Sequence, residues 1–337
     1  MTDHKKRTLF SSCLIWVGIA APPCALAQGP PDVVWTGQAK SGYVYAVAFS
    51  PDGQIVATGD GVPAEYDPDT GTFYPGEGTV SLWNAADGTL LQSRTEDQTE
   101  VSSVAISPDG QRLAAGGEGI LRPFLTVWDL LDLSSFRVLS DYPFDGPRSL
   151  AFSPDGQLLA AGIGGNDNAV KIYTADGTFL RRLPFSSWVT VVAFSPDSRL
   201  LAVGNVPAIQ IYRTSDWQFE RIIFPQHGVN GVSALAFSPD GETLASSGQT
   251  TKLWRLSDGE LIREFDAGRL AFSSDGQVLL TAGSRIRFWN VSDGSLLQTY
   301  DVGAGILAVA LSPDNTLFAY AQLPGNVVVA RNPLAQH

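Results

Sequence analysis

Short apolar runs separated by turn residues fill this chain, and no stretch of it holds the period of a helix. The segment Val44-Tyr45-Ala46-Val47-Ala48-Phe49 is typical, an alternating stretch that predicts a half-buried strand. It runs into Ser50-Pro51-Asp52-Gly53, a turn sequence, and a second apolar strand follows. A third strand in six of these units ends at an aromatic residue: Trp83, Trp128, Tyr173, Tyr212, Trp254 and Trp289. Asp-Gly pairs come next in four units, at Asp87-Gly88, Asp176-Gly177, Asp258-Gly259 and Asp293-Gly294. That dipeptide between alternating runs signals a tight hairpin, because the turn needs positive φ. Each unit therefore reads as four antiparallel strands.

The unit recurs. An apolar-Ser-Pro-Asp-Gly signature, strict or degraded, begins at Phe49, Ile106, Phe152, Phe194, Phe237, Phe272 and Leu311. Its aspartates, Asp52, Asp109, Asp155, Asp197, Asp240, Asp275 and Asp314, are spaced by 57, 46, 42, 43, 35 and 39 residues. Most of these intervals suit a four-stranded blade, and the expectation is an all-β, seven-bladed β-propeller. The last unit lacks an outer strand, while Val33-Val34-Trp35-Thr36 is a strand pattern with no unit of its own. These N-terminal residues are expected to complete blade seven and so remove two exposed sheet edges.

Over residues 32–332 the chain resembles the WD-repeat family, through the seven turns and the Trp83-Asn84, Trp128-Asp129 and Trp289-Asn290 dipeptides. The resemblance implies a ring of seven blades around a narrow channel, and a secreted, bacterial-type member of the family. Two family features are missing. No blade carries the Gly-His pair, and the aspartate between second and third strands is mostly absent, as at Gly248-Gln249-Thr250. The hydrogen-bonded tetrad that ties blades together in the family is thus expected to be largely lost, with Ser, Thr or packing in its place.

The first residues follow a different pattern. Lys5, Lys6 and Arg7 precede an apolar run from Leu9 to Ala21, and Ala25-Leu26-Ala27 is a small-x-small site before Gln28. This predicts a secretory signal over residues 1–27, cut after Ala27, and a mature propeller over 28–337, secreted or periplasmic. An uncleaved anchor is the alternative, although the run is short of a span and ends at Pro22-Pro23. A lipid anchor at Cys24 fits poorly, because the preceding Ala21-Pro22-Pro23 lacks the Leu-small-small pattern. Cleavage would remove both cysteines, Cys13 and Cys24, and leave 19 basic against 33 acidic residues. Such an acidic surface argues against nucleic acid as a partner, and membrane contact is not expected once the signal is gone. A monomer is expected.

Function is expected on the face that carries the starts of the inner strands and the loops between second and third strands. Two loops there are enlarged. Blade one has residues 61–78 where blade six has Gly283-Ser284-Arg285, and its Tyr66, Phe73 and Tyr74 flank a turn sequence that predicts a projecting hairpin. Blade two offers Ile120, Leu121 and Phe124. Together they would form an apolar and aromatic patch rimmed by Asp67, Asp69 and Glu77 that docks a protein or peptide. Alternatively the two insertions pack on each other as a small core of their own. Aligned inner strands place Tyr43, Tyr45, Glu100, Arg148, Trp188 and Thr190 at the channel mouth, where aromatics could also stack on a sugar or a peptide.

Chemistry is sparse. Asp67, Asp69 and Glu77 do not match the spacing of a calcium loop, and no cofactor is expected. Beyond residue 27 the histidines are His227 and the terminal His337, so no histidine cluster can hold a transition metal. A Ser-His-acid hydrolase would need His227 as its base, yet Pro225-Gln226-His227-Gly228 reads as a loop with a surface or capping histidine. The sequence therefore points to a non-enzymatic interaction scaffold outside the cytoplasm. A propeller enzyme or carbohydrate-binding module using the channel mouth is the second reading.

Overall fold

The computed structural model describes residues 29–335, apart from 63–64, 68, 70–71, 75, 98, 118–122, 140–145 and 229–230. The predicted leader and its cleavage point after Ala27 lie outside the described residues. Seven four-stranded antiparallel sheets form the molecule, with one extra two-stranded hairpin, and no helix occurs among the described residues. The inner strands are Tyr43–Phe49, Ser103–Ile106, Pro147–Phe152, Val189–Phe194, Ala234–Phe237, Arg269–Phe272 and Ile306–Leu311. Each packs against the inner strand of the next blade, and the last packs against the first, so the ring is closed.

No single core holds this fold. Seven apolar clusters lie one in each gap between neighbouring blades. Second strands are buried on both faces, which explains their continuous apolar sequence. Small residues such as Ala57, Ala114, Ala160 and Ala202, all fully buried, let adjacent blades approach closely.

The signature turn is hydrogen-bonded in the same way in all seven blades, although blade six has Ser274 in place of the proline. In the first copy Gly53 N donates to Ser50 O at 2.8 Å. Ser50 Oγ donates to Asp52 Oδ1 and accepts from Ile55 N. Proline presets φ at the second position, and Gly53 takes φ +72°. The serine hydroxyl holds Asp52, Asp109, Asp197, Asp240 and Asp275 below the usual carboxylate range. Blades four and seven replace this glycine with Ser198 and Asn315, both at φ 59°. There the left-handed residue is tied to a neighbouring blade: Asp155 N donates to Ser198 Oγ, and Ser274 N to Asn315 Oδ1.

Ring closure follows the sequence expectation. Val33–Gln38 is the outer strand of blade seven, pairing Trp35 with Val329 and Gln38 with Asn326. Trp35 stacks on Trp83 of blade one at 6.0 Å and donates its indole N–H to Ala85 O at 2.8 Å. A Cβ on Gly88 would lie 2.7 Å from the Trp35 ring, so this position must be glycine on two counts, contact and φ +74°.

Candidate functional site

A channel of about 610 Å³ runs through the ring, lined by all seven inner strands. Four of these strands carry a β-bulge at the same place, between Val44 and Ala46, Pro147 and Ser149, Val189 and Val191, and Ile306 and Ala308. The residues at the bulges, Tyr45, Arg148, Thr190 and Leu307, all line the channel. A bulge re-aims a side chain that regular alternation would send elsewhere.

The structure brings the mouth residues together. Tyr43 and Tyr45 meet edge to face at 6.3 Å, and the Tyr45 hydroxyl donates to the Glu100 carboxylate. Burial, then the charge of Glu100, pushes the Tyr45 hydroxyl up to about 12. Across the mouth the Arg148 guanidinium lies 4.5 Å over the Trp188 ring. Trp188 is 49% exposed and Tyr43 41%. Thr190 Oγ1 is committed to backbone, its one proton lying between Val232 O and Gly204 O, with Val232 O the nearer.

The predicted hairpin stands beside this mouth. Glu65–Asp67 pairs with Thr72–Tyr74 in the register Glu65 to Tyr74, Tyr66 to Phe73 and Asp67 to Thr72. Its feet are fixed. A Cβ on Gly61 would fall 2.8 Å from Glu100 Cα, and one on Gly78 2.7 Å from Thr99 O. Blade two thus rests directly on the base of the hairpin, and Val101 N donates to Asp60 O. Asp60, 1% exposed, accepts from Lys40 N and Thr79 N at 3.2 and 3.1 Å. Burial raises its carboxyl to about 6 against these bonds. Glu77 accepts from Ser41 Oγ at 2.8 Å. Among the described residues no group of three His, Cys, Asp or Glu is arranged to hold a metal.

Two expectations are corrected. Phe124 is not at the surface: it opens the third strand of blade two, is 8% exposed, and packs with Leu113, Val101 and Val104. Its neighbours Ile120 and Leu121 lie outside the described residues. His227 is no surface residue either, being 2% exposed. Trp254 Nε1 donates to Ser246 Oγ at 2.8 Å, and that hydroxyl lies 2.9 Å from His227 Nε2. Three members of the blade-linking tetrad are therefore present in blade five. The fourth is gone, because Gly248 and Gln249 stand where an acid would be, and His227 Nδ1 is buried without a partner among the described residues. Burial holds the imidazole down to about 4.

Sequence reasoning missed Arg269, which also lines the channel. Counting back from the apolar residue before each turn would have shown it, since that count meets a small side chain in the other blades. A second cavity of about 680 Å³ lies on the outside between blades four and five, but Arg221 Nη2 already bridges it to Ser257 O at 2.6 Å.

A family model described as WD domain, G-beta repeat matches residues 31–84, 88–122, 137–174, 177–206 and 219–255. The chain is 34% identical over 115 residues to WD repeat-containing protein 1-B of Xenopus laevis, covering 32% of this chain and 19% of that protein. It is 26% identical over 235 residues to actin-interacting protein 1 of Drosophila melanogaster, covering 67% of this chain and 35% of the relative. With the small ribosomal subunit protein RACK1y of Oryza sativa it shares 30% identity over 102 residues, 28% of this chain and 30% of the relative. The chain thus spans well under half the length of each.

Proposed function

Because the chain belongs to the WD-repeat family, whose members are generally protein-interaction scaffolds, we propose that it is a non-enzymatic docking scaffold acting outside the cytoplasm. The docking sector runs from the hairpin of blade one, with Tyr66, Phe73 and Tyr74, across blade two to the channel mouth. Ile120 and Leu121 belong to it, while the buried Phe124 supports it from beneath. One observation carries this reading: Tyr43 and Trp188 stand about half exposed at the mouth, each held by a neighbour, Tyr45 or Arg148. Rigid aromatics fixed by their surroundings are the residue type that anchors protein interfaces.

The non-enzymatic reading is supported by His227, whose buried ring is engaged by Ser246 rather than open to a substrate. Location outside the cytoplasm rests on the N-terminal pattern alone, Lys5-Lys6-Arg7 before the apolar run. The relatives named above are eukaryotic, and a bacterial-type member remains part of the proposal on that same N-terminal pattern. A monomer is proposed as well.

Shortening residues 62–77 to the Gly-Ser-Arg connection of blade six, and separately Trp188→Ala with Tyr43→Ala, should abolish capture of a partner without lowering Tm by more than a few degrees. Unchanged capture by both variants would refute the docking sector. Secretion is tested by the mass of the exported protein, which should begin at Gln28.

A further inference from the structure

At one position of the inner strands, three residues before the turn signature's apolar residue ends the strand, six blades place a small neutral side chain. These are Ala46, Ser103, Ser149, Val191, Ala234 and Ala308. Blade six places Arg269 there, and its guanidinium lines the channel. It donates to Ser233 O of blade five at 2.9 Å, and it makes no ion pair among the described residues. Desolvation alone acts on it, lowering its pKa, and no carboxylate opposes that effect. With one hydrogen bond to protein among the described residues, the partly buried guanidinium keeps N–H groups that face the cavity and can be taken by water or by an anion. Nothing in the blade requires arginine, since the same backbone position tolerates alanine in three other blades.

We propose that the central channel binds an oxyanion, a carboxylate or phosphate group, with Arg269 as its principal ligand. The planar guanidinium suits such a group, which can accept two parallel N–H bonds. Arg148 lines the same cavity from blade three, as does Glu100 from blade two, whose carboxylate accepts from the Tyr45 hydroxyl, so the two arginines outnumber the one carboxylate there. The exterior of the protein is strongly acidic, with 34 Asp and Glu against 22 Lys and Arg in the whole chain. A local cation inside the channel is therefore what would let an anion enter against that field. The site shares Arg148 and the cavity with the docking mouth, but its principal ligand, Arg269 of blade six, is no part of the docking sector, so the Arg269 variants and the Tyr43, Trp188 and hairpin variants test the two readings apart.

The test compares the full chain with Arg269→Ala and with Arg269→Met, which keeps the apolar stem. In a buffer free of oxyanions both variants should melt at or above the parent, because an uncompensated charge is removed. Inorganic phosphate, against chloride at matched ionic strength, should raise the parent's Tm by several degrees and bind at least tenfold more weakly to the variants in titration calorimetry. A tetraglycine peptide as free acid and as amide forms the second arm. Preference for the acid assigns a chain terminus or acidic side chain, whereas a response to phosphate alone assigns a free anion, and both support an oxyanion site. Equal responses of parent and variants to both probes, or no binding of either, would overturn it. So would variants that melt below the parent without oxyanion, since Arg269 would then be structural.

Discussion

A buried indole N–H needs an acceptor, and here a hydroxyl two residues beyond the tryptophan's strand partner supplies it. Trp83, Trp254 and Trp289 donate to Thr58, Ser246 and Thr281 at 3.0, 2.8 and 2.9 Å. Blades three and four carry Tyr173 and Tyr212 instead, and there Ala161 and Val203 take the hydroxyl's place. Blade two breaks the correlation, because Trp128 faces Ala115 and its Nε1 is buried without a partner. Ala115→Ser should therefore raise stability by about 1 kcal/mol, seen as a higher urea midpoint at unchanged slope; a lower midpoint would mean that the site cannot hold the extra oxygen. Two titrating groups give a second expectation. His227 sits at about 4, below its ordinary value, so between roughly pH 6.5 and 4 the unfolded chain takes the proton first and stability falls. Asp60 sits at about 6, above its ordinary value, so over nearly the same window the folded chain takes the proton first and stability rises. Each effect amounts to about 3 kcal/mol at its limit, and the two oppose. The parent should thus show a shallow profile there, while Asp60→Asn loses stability on acidification and His227→Gln gains it. Parallel slopes for all three proteins in denaturant melts from pH 7 to 4 would disprove the pairing.

The outer strands contain a device that the turn signatures gave no hint of. Where each outer strand pairs with the residue before the third-strand aromatic, five blades place Gln92, Arg137, Arg181, Arg221 or Arg263, and blade seven places Trp35 at the matching register. Every one donates across the gap to a carbonyl in the following blade's turn. The acceptors are Leu131, Asp176, Asp216, Ser257 and Asp293 in order, and Ala85 for Trp35. Arg263 adds a second bond to Ser292 O at 2.8 Å. Blade six has Gln298 at this position, and blade seven presents no such turn to it because its outer strand comes from the other end of the chain. This belt links blades where the family's tetrad is incomplete. Arg263→Ala should cost about 1–2 kcal/mol, and Gln298→Ala less than about 0.5 kcal/mol, in paired urea melts. Equal losses would show that the belt contributes no more than any surface side chain. Its invisibility in the sequence has a physical reason. The Ser50-Pro51-Asp52-Gly53 turn is closed by its own atoms, and so it can be read locally. An arginine's carbonyl partner lies 30 to 39 residues away on another blade, and only the assembled ring defines it. The same holds for the bulges that turn Tyr45 and Arg148 into the channel, and for Phe124, whose exposure looked local but is set by its place in the cluster that blade two forms with Val80 and Leu82 of blade one.

At the scale of the whole molecule, a ring built from seven inter-blade clusters has no blade it can lose, because each cluster needs both of its walls. The weak joint lies in blade seven, whose strands Val33–Gln38 and Asn326–Arg331 come from opposite ends of the chain and are joined only by their pairing, at the gap that faces blade one. Trp35, Val327 and Val329 from the two ends of the chain meet Val56 and Trp83 there. The pairing is extended at either end by Arg331 N to Asp32 O and Ala39 N to Gly325 O, each near 2.8–2.9 Å. The terminal strand was legible in the sequence because the repeat count left one unit a strand short and one strand without a unit. The tryptophan stack and the bond to Ala85 were not, as they depend on how blade one approaches. Trp35→Ala should cost about 3–5 kcal/mol, as for a buried aromatic that leaves a cavity and an unpaired carbonyl. Removing residues 29–38 should do more, exposing Asn326–Arg331 as an open edge beside an uncovered Trp83. The truncated chain is expected to elute as aggregates, and a synthetic peptide of residues 32–38 added during refolding should restore the parent's elution volume by taking the empty place next to Val327 and Val329. The register also predicts which peptide fails: Trp35→Ala in the peptide should rescue poorly, because it loses the stack on Trp83. A truncated chain that stays monomeric with the parent's Tm, or rescue that is indifferent to Trp35, would show that the ring holds its shape without this strand.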